Sequence, residues 1–220
     1  MTDRTAAAAT PAAAAPALAD LPVRGVSLGH PDTVAAEHWL ASLSPAPVLA
    51  FTHLVRSPRP HVALTLVFAD TAPAGLDAAL TSAGTAPASA GTAPASAGTA
   101  PASAGGAAGG GGALPAGLVA SCPEAVAAYV ARSSGRAVLY PGVELLVGTL
   151  SVADVLARSA IEQVEVLGGG AADPADLIDT GGFVRPQWQA GRLTLLTSPA
   201  AGGRLVPFET RHPTPCCAAH

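Results

Sequence analysis

The chain has no lysine and no asparagine, and isoleucine occurs only at Ile161 and Ile178. Every basic residue is therefore arginine, a bias that follows GC-rich codons and points to a high-GC bacterium. Charged residues make up only 12% and aromatics 4% of the chain. The arginines are scattered, only Arg56 and Arg59 lying close together, and the net charge is −4. No basic field is available for nucleic acid. No apolar run approaches the ~20 residues that a membrane-spanning helix needs, and Val62 to Ala69 has the length of a strand. Three cysteines in 220 residues are too few for a disulfide framework, which favours a reducing, cytoplasmic setting. Ala17-Leu18-Ala19 has the small-residue pattern of a signal-peptidase site. Asp3, Pro11 and Pro16 break the apolar stretch such a signal requires, so residues 1–20 read as a disordered Ala/Pro leader.

Alanine, glycine and proline fill the space left by these absences. The hydrophobic fraction of 50% includes much alanine, so less large apolar surface is available to bury than that fraction suggests. The heptapeptide TAPASAG occurs three times in tandem, over Thr85–Gly91, Thr92–Gly98 and Thr99–Gly105, and runs on into GAAGGGG. No unit offers a hydrophobic face for its neighbour to bury, so this is no solenoid. Residues 83–113 read as a flexible linker. Closing a longer surface loop costs only ~0.6 kcal/mol per doubling of length, so a fold tolerates such an insertion.

The linker divides one domain. In residues 21–82, Val23–Leu28 is strand-like, and Ala36, Trp39, Leu40 and Leu43 form a helical stripe. Two strands follow, PVLAFTHLV and HVALTLVF, with Pro58 and Pro60 in the loop between them. In residues 114–210, Ser121-x-x-Glu124 and Ser151-x-x-Asp154 are helix-capping patterns, the first helix presenting Val126, Tyr129 and Val130. RAVLY and VELLVGTL read as strands around Pro141-Gly142, and EQVEVLG as another. Asp173-Pro174 starts a helical turn, and RLTLLTS with RLVPFE forms a late hairpin. The expected fold is α+β, with short helices packed on mainly antiparallel hairpins. Residues 211–220 form a Cys/His tail.

That tail carries the densest chemistry. His212, Cys216, Cys217 and His220 supply four soft or borderline metal donors in nine residues. The spacing is not that of a Cys-x2-Cys zinc knuckle, but adjacent thiolates capture soft ions where sulfur chemistry outweighs ideal geometry. Locally, CCAA resembles the C-terminal vicinal cysteine pair of mercuric reductases. The resemblance spans those four residues and nothing of that family's nucleotide-binding domains, and it implies thiolate capture of a metal.

Elsewhere the candidates for catalysis are Cys122, His30, His53 and His61. Cys122 at a helix N-terminus would have its thiolate stabilised by free N–H groups, with a histidine as base. If Val55 pairs with His61, His53 and His61 are diagonal neighbours on one sheet face, at the hairpin's wet end. LGGGAAD lacks both the G-x-G-x-x-G order and a phosphate-loop lysine. Trp188 and Phe208 read as core or edge packing. The leading expectation is a binding or accessory protein whose tail captures zinc or copper. The alternatives are a thiol-dependent enzyme or redox protein using Cys122 or the Cys216-Cys217 pair, and a protein-interaction domain with incidental cysteines.

Overall fold

Leu49–Val55 (β2) and His61–Val67 (β3) form the hairpin that their apolar runs predict, and in the expected register: Val55 pairs with His61, and His53 with Ala63. The computed structural model that shows this describes residues 21–56, 59–70, 72–73, 75–76 and 120–211. The leader, the whole linker and the tail after Arg211 lie outside the described residues.

Around this hairpin the sheet grows in both directions. β1 (Val23–His30) pairs antiparallel with β3, and β4 (Ala120–Ser121) with β1. On the other side β5 (Arg136–Leu139) pairs with β2 and then with β10 (Gln187–Gln189). β11 (Arg192–Ala200) and β12 (Arg204–Pro207) form the expected late hairpin. β9 (Leu177–Asp179) and β6 (Thr149–Ser151) complete the path. β7 (Gln163–Val166) runs parallel to β11 and carries β8 (Gly170–Ala171). Thr194 pairs with both Gln187 and Gln163, and Thr197 with both Pro207 and Val166. A strand has two edges, so β7 occupies one edge of β11 while β10 and β12 share the other.

Helices and core cover both faces of the first strands, so β3 is buried over almost its whole length. Val62, Leu64 and Leu66 on one face pack with Ala36, Leu40 and Leu43 of the α1 segment (Thr33–Ala41) and its exit. Each leucine so buried contributes about 1.5–3 kcal/mol. The N-cap is Asp32, whose side chain accepts from the Ala35 N–H at 2.8 Å. On the opposite face, Ala63 meets Cys122 and Ala125, the latter in α2 (Pro123–Val130). Phe51, Val67 and Leu49 join the larger core, together with Val152 and Val155 of α3 (Val152–Arg158).

Local readings fail where tertiary pairing competes. Ser121 does not cap α2, because it is extended and pairs with Val26; Cys122 is the N-cap residue and makes no side-chain cap bond. The buried stripe of α2 centres on Ala125, leaving Val130 exposed. VELLVGTL is not one strand: Val143–Leu145 is a 3-10 turn, and Gly148, at φ +74°, separates it from β6. Asp173 starts a turn rather than a helix, its carboxylate accepting from the Ala175 N–H at 2.8 Å. The Ser151 cap forms as expected, its hydroxyl accepting from the Asp154 N–H at 3.0 Å.

Candidate functional site

Three aromatic rings from three elements meet on the α2 side of the sheet. Phe51 stands on β2, almost fully buried. Tyr129 comes from α2, one helical turn beyond the buried Ala125, and meets Phe51 edge-on at 5.1 Å between centroids. Trp188 comes from β10 and stacks on Phe51 at 5.7 Å with only 3° between the planes. Offset stacking and edge-to-face contact are the arrangements that the ring quadrupoles favour. The rings wall a cavity of about 740 Å³, which Tyr140 also lines. Four of the chain's eight aromatic side chains thus border one cavity. Leu49, Leu156 and Leu193 add aliphatic surface.

Few polar groups interrupt these walls. Tyr140 donates its hydroxyl to the Val184 carbonyl at 3.1 Å, and burial pushes its pKa up, so it stays neutral. Burial also raises the Tyr129 pKa, against an opposing pull from Arg132. The Trp188 indole N–H is buried and has no hydrogen-bond partner among the described residues. Buried donors in proteins are normally bonded, so this one is an exception. At the rim the Arg132 guanidinium lies 4.9 Å from the centre of the Trp188 ring and 3.3 Å from the Glu162 carboxylate. Glu162 accepts in turn from the Leu193 N–H at 2.8 Å. An exposed ion pair of this kind is worth only about 0–1 kcal/mol, so moving Arg132 aside costs little.

The candidate catalytic residues take separate places. Cys122 does sit at the start of α2, but it is only 4% exposed; burial pushes its pKa up and the Glu124 carboxylate adds to the rise, outweighing the opposing pull of the Ala125 and Glu124 backbone N–H groups. Its Sγ lies 3.6 Å from Glu124 Oε2 as a weak donor. His53 is 6% exposed rather than wet, with Nε2 2.9 Å from Thr65 Oγ1, and burial pushes its pKa down to about 4. His61 is half-buried and bonds to Ser27 Oγ at 2.8 Å and to the Arg59 carbonyl at 2.9 Å. The carbonyl can only accept, so His61 Nδ1 carries a proton and, in the neutral ring, Nε2 accepts from Ser27. His30 packs against Trp39 at 5.9 Å, and burial lowers its pKa against an opposing pull from Asp32. The metal candidates His212, Cys216, Cys217 and His220 lie outside the described residues. Among the described residues no three His, Cys, Asp or Glu side chains converge as a metal site.

Sequence reasoning placed Tyr129 on an inward helical face and Trp188 in packing, and no local spacing joined them to Phe51. The available signal was scarcity: a chain with so few large rings concentrates half of them at one place. No protein-family model matches this chain, and neither a curated protein nor a solved structure matches it.

Proposed function

We propose that this chain is a small-molecule-binding protein whose ligand is flat and largely apolar and enters the aromatic cavity. The observation that carries the reading is the cavity of about 740 Å³ walled by Phe51, Tyr129 and Trp188. Ligand cavities are typically ~300–1,000 Å³, mostly apolar, with a few placed polar groups. The Arg132–Glu162 pair at the rim supplies such groups. A cytoplasmic setting accords with the free, buried Cys122 thiol. Among the described residues no helix is long and apolar enough to cross a membrane.

The test uses N-phenyl-1-naphthylamine, a neutral planar probe whose fluorescence rises in apolar surroundings. It should bind the full chain saturably at one site. Leu156→Trp fills the cavity from its aliphatic side and should abolish the signal while the far-UV circular dichroism is unchanged. Equal probe affinity in that folded variant defeats the reading.

Capture of a metal by the Cys/His tail is proposed beside this as a separate role of residues 212–220. It is carried by their four donors alone.

A further inference from the structure

On the α1 side of the sheet a second cavity, of about 850 Å³, is built on different chemistry. Its wall is a chain of alternating charges. Arg136 of β5 donates to Glu37 Oε1 of α1 at 2.6 Å, and through Nε and Nη2 it forms a fork with Glu209. Arg185 donates to Glu37 Oε2 at 2.7 Å. Glu37, Arg136 and Arg185 are each less than one-fifth exposed in their side chains. Burial alone would raise the Glu37 pKa, but the hydrogen bonds and charges of Arg185 and Arg136 outweigh it and hold the carboxyl ionised.

The alternation does not end in balance. A third guanidinium, Arg211, lines the same cavity and has no carboxylate partner among the described residues. Its bond is to the Gly182 carbonyl at 3.5 Å. All three arginines gather over one ring, Phe183, at 4.2 Å for Arg185, 5.6 Å for Arg211 and 5.9 Å for Arg136. Three guanidinium groups against two carboxylates leave the wall with one positive charge. Beside it stand two large apolar side chains in water, Val34 at 74% and Phe208 at 61% exposure, both lining the cavity.

From this geometry we infer that the cavity is a binding site for a small organic carboxylate, one negative charge carried on a compact apolar body. The carboxylate takes the donors of Arg211, completing the alternation Glu209, Arg136, Glu37, Arg185. The apolar body covers Val34 and Phe208. Guanidinium suits this ligand because its planar fork matches a carboxylate in two parallel bonds. A dianion would overcompensate the single charge, and a neutral ligand would leave Arg211 without a partner.

Benzoate and its uncharged counterpart benzyl alcohol are the probes, titrated into the full chain by calorimetry. Benzoate should bind at one site in the millimolar range, and benzyl alcohol should not reach half-saturation at the same concentrations. Arg211→Gln removes an exposed charge without disturbing the buried pairs, and it should weaken benzoate at least about fivefold. Benzoate should not displace N-phenyl-1-naphthylamine, which separates this site from the aromatic cavity. Equal affinity of the two probes, an unchanged benzoate affinity in Arg211→Gln, or displacement of the naphthylamine overturns the inference.

Discussion

Acidification probes the interior of the sheet at a single residue. His53 lies between β3 and the β5 entry: Thr65 Oγ1 is 2.9 Å from Nε2, and a Cβ placed on Gly135 would stand 2.6 Å from Cε1. Its Nδ1 is buried with no hydrogen-bond partner among the described residues, and burial lowers the pKa from 6.5 to about 4. The unfolded chain takes up a proton near pH 6.5 that the folded chain refuses until about pH 4. The stability due to neutral His53 is therefore complete above 6.5 and is lost as pH falls through that window. At about pH 4.5 the two titrations together imply a loss of about 2.5 kcal/mol, with about one kcal/mol of latitude either way. His30, also lowered by burial, contributes in the same direction, so acid sensitivity alone is not diagnostic. The informative comparison is with His53→Leu combined with Thr65→Val, which removes both hydrogen-bonding partners and leaves no hydroxyl orphaned. Urea unfolding from about pH 7.5 to 4.5 should show the wild-type advantage over this variant shrinking by about 2.5 kcal/mol. Stability curves that run parallel within about 1 kcal/mol would refute the buried, neutral histidine.

Gly25→Ala should destabilise the chain by about 2 kcal/mol in urea unfolding, because its Cβ would stand 2.1 Å from the Cys122 carbonyl oxygen; a neutral substitution would contradict that contact. Zinc titrated into the reduced full chain should bind stoichiometrically, and a chain ending at Arg211 should not bind it; retention by the shorter chain would move the metal role out of the tail. Deleting residues 84–112 should shift the thermal midpoint by no more than a few degrees, since loop length enters stability only logarithmically; a large loss would show that the segment packs. Iodoacetamide should modify Cys122 slowly at neutral pH, because burial raises its pKa; rapid labelling of that thiol would favour the thiol-dependent reading.

The β2–β3 register was legible because both strands carry large apolar residues, and the prolines of RSPRP mark a break between them in the sequence. The α1 stripe was legible for the same reason, Trp39, Leu40 and Leu43 leaving one helical face unambiguous. VELLVGTL misled because apolar content alone does not distinguish a strand from a turn that buries Leu146 and exposes Leu145 and Val147. β10 escaped notice because Gln-Trp-Gln has neither length nor turn signals; it exists by pairing with β5 and β11. The aromatic cavity draws its walls from β2, α2 and β10, so its geometry is a property of the sheet order and not of any window of sequence. The Arg–Glu chain is equally non-local, joining α1 to residues near the end of the described chain.

Small residues have a structural role that composition alone conceals. The excess of alanine and glycine reads as genomic bias, and along the linker nothing argues otherwise. Under α2 the same residue types are required by contact. Gly25 lets the Cys122 backbone approach until the Cys122 N–H donates to the Gly25 carbonyl at 3.1 Å. Ala63 and Ala125 then meet without a larger side chain between them. A helix seated that close brings its next inward residue, Tyr129, down to the level of Phe51 rather than above it. The aromatic cavity therefore depends on both extremes of the composition. Rings supply its walls, and the smallest residues, one turn away along α2, set the height at which one of those walls stands.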